Sequence, residues 1–208
     1  QLAVLLQQQG AVIGTLGYGD YRSLTPLNNT TPHLVDIHRI LHSIQSTGAV
    51  KGDALVAMEV SSHALVQQRV AGLQFEVAVF TNLTRDHLDY HGTFDEYIKA
   101  KKKLFDELPK DAFALVNGDD RRGSVMLQNS KATHHSFALK SSADFKAKII
   151  SNTLEGLELD INNKQIWFRM IGAFNAYNLL GVLGVAVLLG EDEDEVLRTL
   201  SAIRGAKG

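Results

Sequence analysis

The feature that most constrains the fold is a short apolar run, Val77-Ala78-Val79-Phe80, that passes directly into a dense polar string, Thr81-Asn82-Leu83-Thr84-Arg85-Asp86-His87-Leu88-Asp89-Tyr90-His91-Gly92, and then into a helix start. A buried strand, a polar cluster at its carboxyl end and a helix behind it point to an open α/β sheet, in which the ligand crevice lies outside the carboxyl ends of the strands. Thr93 and Glu96 form a T-x-x-E capping box for that helix. Its apolar positions Phe94, Tyr97, Ile98, Leu104, Phe105 and Leu108 share one face at about 100° per residue. Lys101 projects from the middle of this face, while Lys99 and Lys103 point away. A lysine so placed either snorkels to the edge of the core or must be neutralised, paired or modified, because an uncompensated buried ammonium is strongly destabilising.

The same strand-and-helix texture runs along the chain. Leu2 to Gln9 is helix-like with Gly10 as its C-cap, and Ala11 to Leu16 reads as a buried strand. A polar connecting loop then runs through Asn28-Asn29-Thr30-Thr31-Pro32 to a helix from His33 to Ser46. Ala54 to Met58 is the next buried strand, with Glu59 at its carboxyl end and Ser61, Ser62 and His63 behind it. Ala64 to Leu73 has room for a crossover helix, so this strand and Val77–Phe80 are expected to be parallel neighbours, with Glu59 and His87 facing one crevice. Ala112 to Val116 is a further strand ending in Asn117-Gly118-Asp119-Asp120, a string that taken alone is an ordinary turn. Alternating runs at Phe145–Ile150, Gly156–Ile161 and Gln165–Arg169 read as a small antiparallel meander. Gly172 to Asn178 opens a long apolar helix whose N-terminus suits a polar ligand, and Glu191 to Ile203 is a final amphipathic helix. The expected fold is therefore α/β, a mostly parallel sheet flanked by helices with a small antiparallel three-stranded annex.

Composition narrows the function classes. With 45% hydrophobic and 21% charged residues in 208, the chain suits one large globular domain, or one plus a small annex. Its 21 basic and 23 acidic residues give a net charge of -2, which directs it to neither nucleic acid nor a membrane surface. There is no cysteine, which excludes a disulfide scaffold and thiolate metal sites and fits a cytoplasmic location. The longest apolar run, Leu179 to Gly190, is well short of the roughly 20 residues that span a bilayer, so no membrane insertion is expected. The opening Gln1-Leu2-Ala3-Val4-Leu5-Leu6 looks like a helix entered midway, and a piece of a longer protein is the expectation.

Glu59, His87 and a modified Lys101 together offer hard oxygen and imidazole ligands, the set expected for Mg²⁺ or Mn²⁺ handling phosphate. Carbamylation of Lys101 by CO2 would exchange a buried cation for an anion of carboxylate type. The phosphate-cradling string G-x-x-x-x-G-K-[ST] that usually accompanies such a site does not occur in these 208 residues: either the chain does not come from a nucleotide enzyme or the loop lies before Gln1, and the opening that looks like a helix entered midway favours the second.

Met58-Glu59-Val60-Ser61-Ser62-His63, then Gln67 and Arg69, the Thr81 to Gly92 string, Lys101, Asn117-x-Asp119-Asp120 and Gly172-x-Phe174-Asn175-x-x-Asn178 together resemble the central domain of the Mur ligases. Within that family they are most similar to the branch that adds the third residue of the peptidoglycan stem peptide. The resemblance implies a P-loop-type ATP-binding central domain over residues 1–203, truncated at its N-terminus and lacking the phosphate loop, with 204–208 entering a linker to a further domain. It implies a partner set of UDP-N-acetylmuramoyl-L-alanyl-D-glutamate, ATP as co-substrate and a third-position amino acid. In the implied reaction ATP phosphorylates the terminal carboxylate and the amine of the incoming amino acid attacks the acyl phosphate. By the same resemblance Glu59 and His87 bind Mg²⁺ and Lys101, as N6-carboxylysine, helps to hold a second ion, these three forming the catalytic set. Asn29, Thr30, Thr31, Ser61, Gln67 and Arg69 would contact the UDP-muramoyl peptide, and Asn175 and Asn178 the adenine. Lacking the phosphate loop, the isolated chain is expected to be inactive. A folylpolyglutamate synthetase shares the ATP and carbamate machinery, but Asn29-Thr30-Thr31-Pro32 and the Ser61 to Arg69 string argue against it. A non-catalytic binding module with a ligase-like sheet is the alternative from another class.

Overall fold

A computed structural model describes residues 1–6, 10–46, 54–84 and 88–203. The chain divides into two compact units, Gln1–Leu73 with Asp95–Lys101, and Gln74–Phe94 with Lys102–Gly208. Among the described residues no helix is long and apolar enough to cross a membrane.

The first unit opens with a single helical turn, α1 (Leu2–Leu5), followed by strand β1 (Gly10–Gly14). Gly10 is the first residue of that strand, and residues 7–9, over which the helix was expected to run on to Gln9, lie outside the described residues. The segment expected to be only a polar loop instead folds back as two short strands, β2 (Gly17–Asp20) and β3 (Ser23–Thr25), each antiparallel to its predecessor. Gly17 makes the return possible: its φ is +127°, and a Cβ there would lie 2.4 Å from the Thr25 carbonyl oxygen. Helix α2 (Leu34–Ser46) follows and buries Ile37 and Ile40. Strand β4 (Leu55–Met58) pairs in parallel with β1, giving the order β3-β2-β1-β4. As the end strand of that sheet β4 is half-buried, where full burial was expected. A five-residue helix, α3 (Ser62–Val66), leaves it under an N-cap from Ser61, whose hydroxyl accepts the Ala64 amide at 3.2 Å.

The second unit holds a six-stranded sheet whose strands lie side by side in the order of the chain. Strand β5 (Val77–Phe80) is followed by α4 (Leu88–His91), by α5 (Phe94–Asp106), whose residues Asp95–Lys101 belong to the first unit, and by β6 (Phe113–Asn117). After α6 (Gly123–Leu127) come β7 (Thr133–Ala138), β8 (Phe145–Asn152), β9 (Leu157–Ile161) and β10 (Lys164–Phe168). The expected parallel pairing of β4 with β5 is not among the strand pairings of the described residues: β4 pairs with β1 and β5 with β6, each as the end strand of its own sheet. Residues 64–73 do not form one crossover helix either: α3 ends at Val66, and Gln68 adopts a left-handed conformation with φ 55°.

Strands β5, β6, β7 and β8 are parallel, while β8, β9 and β10 form the expected antiparallel meander and continue the same sheet. Helix α7 (Ala173–Leu188) packs its Leu180 and Leu183 into a core with Leu115, Phe137 and Leu159, all essentially inaccessible. Close approach to the sheet requires Gly184, where a Cβ would lie 2.8 Å from Leu115 Cδ2. The chain described ends with α8 (Glu193–Ala202), capped by Asp192.

Candidate functional site

In the first unit the site grows out of two parallel strands that end level with each other. The Glu59 amide donates to the Ile13 carbonyl at 2.9 Å, extending the β1–β4 ladder by one bond, so the residues that follow the two strands lie side by side. A Cβ on Gly14 would come within 2.8 Å of Glu59 Cδ, so glycine leaves the room that the carboxylate occupies. Glu59 Oε2 accepts the Thr15 amide at 3.1 Å and the Thr15 hydroxyl at 2.7 Å. The Thr15 hydroxyl also lies 3.1 Å from that of Thr30.

A buried threonine joins the 29–32 loop to the strand end. Thr31, 1% exposed, donates its hydroxyl to the Glu59 carbonyl at 2.9 Å and accepts the Ser61 amide at 3.0 Å. Arg69 then fastens the same loop from the turn that follows α3: its Nη1 donates to the Thr31 carbonyl at 2.7 Å, while Nε and Nη2 donate to Gln67 Oε1 at 2.9 and 2.6 Å. Five of the expected residues, Thr30, Thr31, Ser61, Gln67 and Arg69, thus meet around the segment that carries Glu59. Asn29 stands exposed at the rim of this loop.

Lys101 lies on α5, half-buried, with its amine 5.9 Å from the Tyr97 ring centroid. Burial lowers its pKa, and among the described residues it makes no ion pair or hydrogen bond. The neighbouring Lys102 is more deeply buried, 9% exposed, but its amine is neutralised by Asp106 one turn on. Lys99 pairs with Glu96 at 2.7 Å on the solvent side. His87 falls outside the described residues, as do Arg85 and Asp86. The described residues alone hold no group of three or more His, Asp and Glu side chains able to grip a metal. What Glu59 offers is one carboxylate with Oε2 held by Thr15, flanked by hydroxyls. This hard-oxygen donor set suits a divalent cation that keeps several of its waters.

The second unit carries a cavity of about 670 Å³ at the carboxyl ends of β5 and β6, against the start of α7. The string Asn117-x-Asp119-Asp120 forms the expected turn, and its side chains line the cavity. Asn117 Nδ2 donates to the Thr81 carbonyl at 2.8 Å, and Asp120 accepts the Leu83 amide at 3.1 Å, tying the segment after β5 to the end of β6. Asp119 accepts the amides of Leu139, Lys140 and Ser141 and the hydroxyl of Tyr177. Burial alone would raise the Asp119 pKa, but the hydrogen bonds from Ser141, Lys140 and Leu139 outweigh it and hold the carboxyl well below its ordinary range. Tyr177 is pushed up to about 12, first by burial and then by the same carboxylate.

Phe174, 66% exposed, and Asn178 complete one wall of the cavity, and Asn178 Nδ2 lies 3.3 Å from Asn175 Oδ1. Sequence reasoning missed Thr15 and Tyr177. Thr15 had a usable signal, since it follows the carboxyl end of a strand as Glu59 does; Tyr177 had none beyond its place in the first turns of α7.

Comparison with known proteins places this geometry in a family. The family model described as the Mur ligase middle domain matches residues 1–186. The UDP-N-acetylmuramoyl-L-alanyl-D-glutamate–2,6-diaminopimelate ligase of Cytophaga hutchinsonii is 55% identical over 180 residues, 86% of this chain and 36% of that protein. The protein of the same name from Phocaeicola vulgatus is 47% identical over 199 residues, 96% of this chain and 40% of its own. The chain therefore spans about two fifths of the length of these relatives. A solved structure of a UDP-N-acetylmuramoyl-L-alanyl-D-glutamate–2,6-diaminopimelate ligase superposes with a TM-score of 0.84 at 30% identity, covering 100% of this chain and 44% of that one. MurF from Acinetobacter baumannii shares the fold, with a TM-score of 0.72 at 16% identity, over 100% of this chain and 43% of its own.

Proposed function

The chain belongs to the Mur ligase family, as its middle domain, and on that premise we propose that the full-length protein is an ATP-dependent ligase that adds 2,6-diaminopimelate to UDP-N-acetylmuramoyl-L-alanyl-D-glutamate. Residues 1–203 would be its central domain and 204–208 the start of a linker, in a cytoplasmic enzyme. The observation that carries this reading is the convergence of Thr30, Thr31, Ser61, Gln67 and Arg69 on the segment bearing Glu59.

In this reading the dipeptide substrate lies along the 29–32 loop, where Asn29, Thr30, Thr31, Ser61, Gln67 and Arg69 bind and orient its anionic groups. Three of the five Arg69 donors are engaged by Gln67 and Thr31, so the guanidinium is preset and presents its remaining donors without a large ordering cost. ATP transfers its γ-phosphoryl group to the terminal carboxylate, the incoming amine attacks the carbonyl carbon, and phosphate leaves with one former carboxylate oxygen. Glu59, His87 and a carbamylated Lys101 are the residues that would hold Mg²⁺. When bound, that ion neutralises charge on the transferring phosphoryl group. The lowered pKa of Lys101 supports the modification, since CO2 reacts with the neutral amine. Asn178, Asn175 and the exposed ring of Phe174 would receive the adenine in the second unit's cavity.

The test is direct. The full-length protein, given the UDP-muramoyl dipeptide, ATP, Mg²⁺ and meso-diaminopimelate, should yield a product heavier by one diaminopimelate residue, with one ADP per product by mass spectrometry. Lysine in place of diaminopimelate should react poorly. No ATP-dependent mass gain with any third-position amino acid would overturn the reading.

A further inference from the structure

The hydroxyl of Thr15 stands between two residues that the proposed function gives different tasks. It lies 2.7 Å from Glu59 Oε2 and 3.1 Å from Thr30 Oγ1. A threonine hydroxyl has a single proton, and a carboxylate oxygen can only accept. Thr15 therefore donates to Glu59, which leaves it an acceptor toward Thr30, and the relay has one polarity: Thr30 O–H to Thr15 Oγ1, Thr15 O–H to Glu59 Oε2. The second hold on Glu59, from the Thr15 backbone amide at 3.1 Å, does not depend on the side chain. Hydrogen bonds in such a chain polarise one another, so the charge left on Oε2 depends on whether Thr15 is itself receiving a proton from Thr30.

We infer that Thr15 is a positioning residue that couples substrate binding on the 29–32 loop to cation binding at Glu59. The inference rests on the reading of Thr30 as a substrate contact and Glu59 as a cation ligand. When Thr30 turns its proton to an anionic group of the UDP-muramoyl dipeptide, Thr15 loses its incoming donor and becomes a weaker donor to Glu59. Oε2 then carries more negative charge and holds a divalent cation more tightly. By linkage the cation raises affinity for the dipeptide by the same factor.

The experiment uses the full-length protein with Mn²⁺ as a paramagnetic probe. Mn²⁺ affinity is measured by electron paramagnetic resonance without nucleotide, in the presence and absence of UDP-N-acetylmuramoyl-L-alanyl-D-glutamate. The wild type should bind Mn²⁺ about fivefold more tightly with the dipeptide present, at the low end of ordinary coupling strengths. Thr15→Val, which keeps side-chain shape and the backbone amide, should still bind Mn²⁺ but with a ratio near one. Thr15→Ser, which keeps the hydroxyl, should restore the ratio. A wild type without coupling, or a Thr15→Val variant that retains it, would overturn the inference. Glu59→Gln separates the two levels, since Mn²⁺ affinity unchanged in that variant overturns the assignment of Glu59 itself, whatever Thr15 does.

Discussion

The Asp119 carboxylate accepts the Tyr177 hydroxyl at 2.9 Å across 58 residues of sequence, and with it binds the start of α7 to the end of β6. The amides of Leu139, Lys140 and Ser141, at 2.8, 2.9 and 2.8 Å, bring the β7–β8 connection to the same group. Three segments of the chain thus meet at one anion, and two of them, the end of β6 and the start of α7, line the cavity. Asp119→Asn turns a donor toward groups that are themselves donors, and should cost about 1.5 kcal/mol of stability, the lower end for hydrogen bonds to a charged group because the site is open to water. Since the folded state lowers this pKa, the stabilisation is present at neutral pH and is lost as pH falls below the ordinary carboxyl range. Acid unfolding followed by circular dichroism should be shallower in that range for Asp119→Asn than for the wild type. Equal slopes would contradict this role.

Tyr177 gives the opposite sign. Its raised pKa means that its contribution is complete below about pH 10 and lost as pH approaches about 12. In Asp119→Asn the Tyr177 resonance, followed by carbon NMR of labelled tyrosine, should titrate at lower pH than in the wild type. An unmoved midpoint would show that burial alone sets it.

Much of this architecture is legible in the sequence because it rests on local periodicity. Val77–Phe80, Phe113–Val116 and the apolar stretch of α7 announce themselves by runs that only a buried strand or helix accommodates. The β2–β3 hairpin is not legible, since Gly17-Tyr18-Gly19-Asp20 has no apolar alternation and depends on a glycine conformation set by the fold. Strand β7 is hidden in the same way: Thr133-His134-His135-Ser136 is polar, and only Phe137 and Ala138 are buried. Glu59 could be found from its position at a strand end. The Thr15–Glu59 and Asp119–Tyr177 bonds could not, because they join residues 44 and 58 apart and leave no trace in spacing.

Arg69 divides its guanidinium between the Thr31 carbonyl and Gln67, and so presents the loop on which the dipeptide is proposed to lie. In the full-length protein Arg69→Ala should raise the KM for the UDP-muramoyl dipeptide by about tenfold or more, the loss expected from a charged hydrogen bond, with little change in the KM for ATP. Arg69→Lys should recover little, since an ammonium cannot span both partners. Equal effects on both substrates would contradict the assignment.

Lys101 should carry a carbamate in the full-length, nucleotide-bound protein. Lys101→Ala should then abolish ligation, and a small carboxylate added to the buffer should restore part of it. An unmodified Lys101 amine in a crystal structure of that complex would contradict the modification.

The most direct test follows one oxygen atom. The UDP-muramoyl dipeptide, labelled with ¹⁸O in its terminal carboxylate, is turned over by the full-length protein with ATP, Mg²⁺ and diaminopimelate, and the released phosphate is analysed by mass spectrometry. An acyl phosphate route predicts one ¹⁸O in each inorganic phosphate and none in ADP. Label in AMP, or phosphate free of label while product forms, would contradict it.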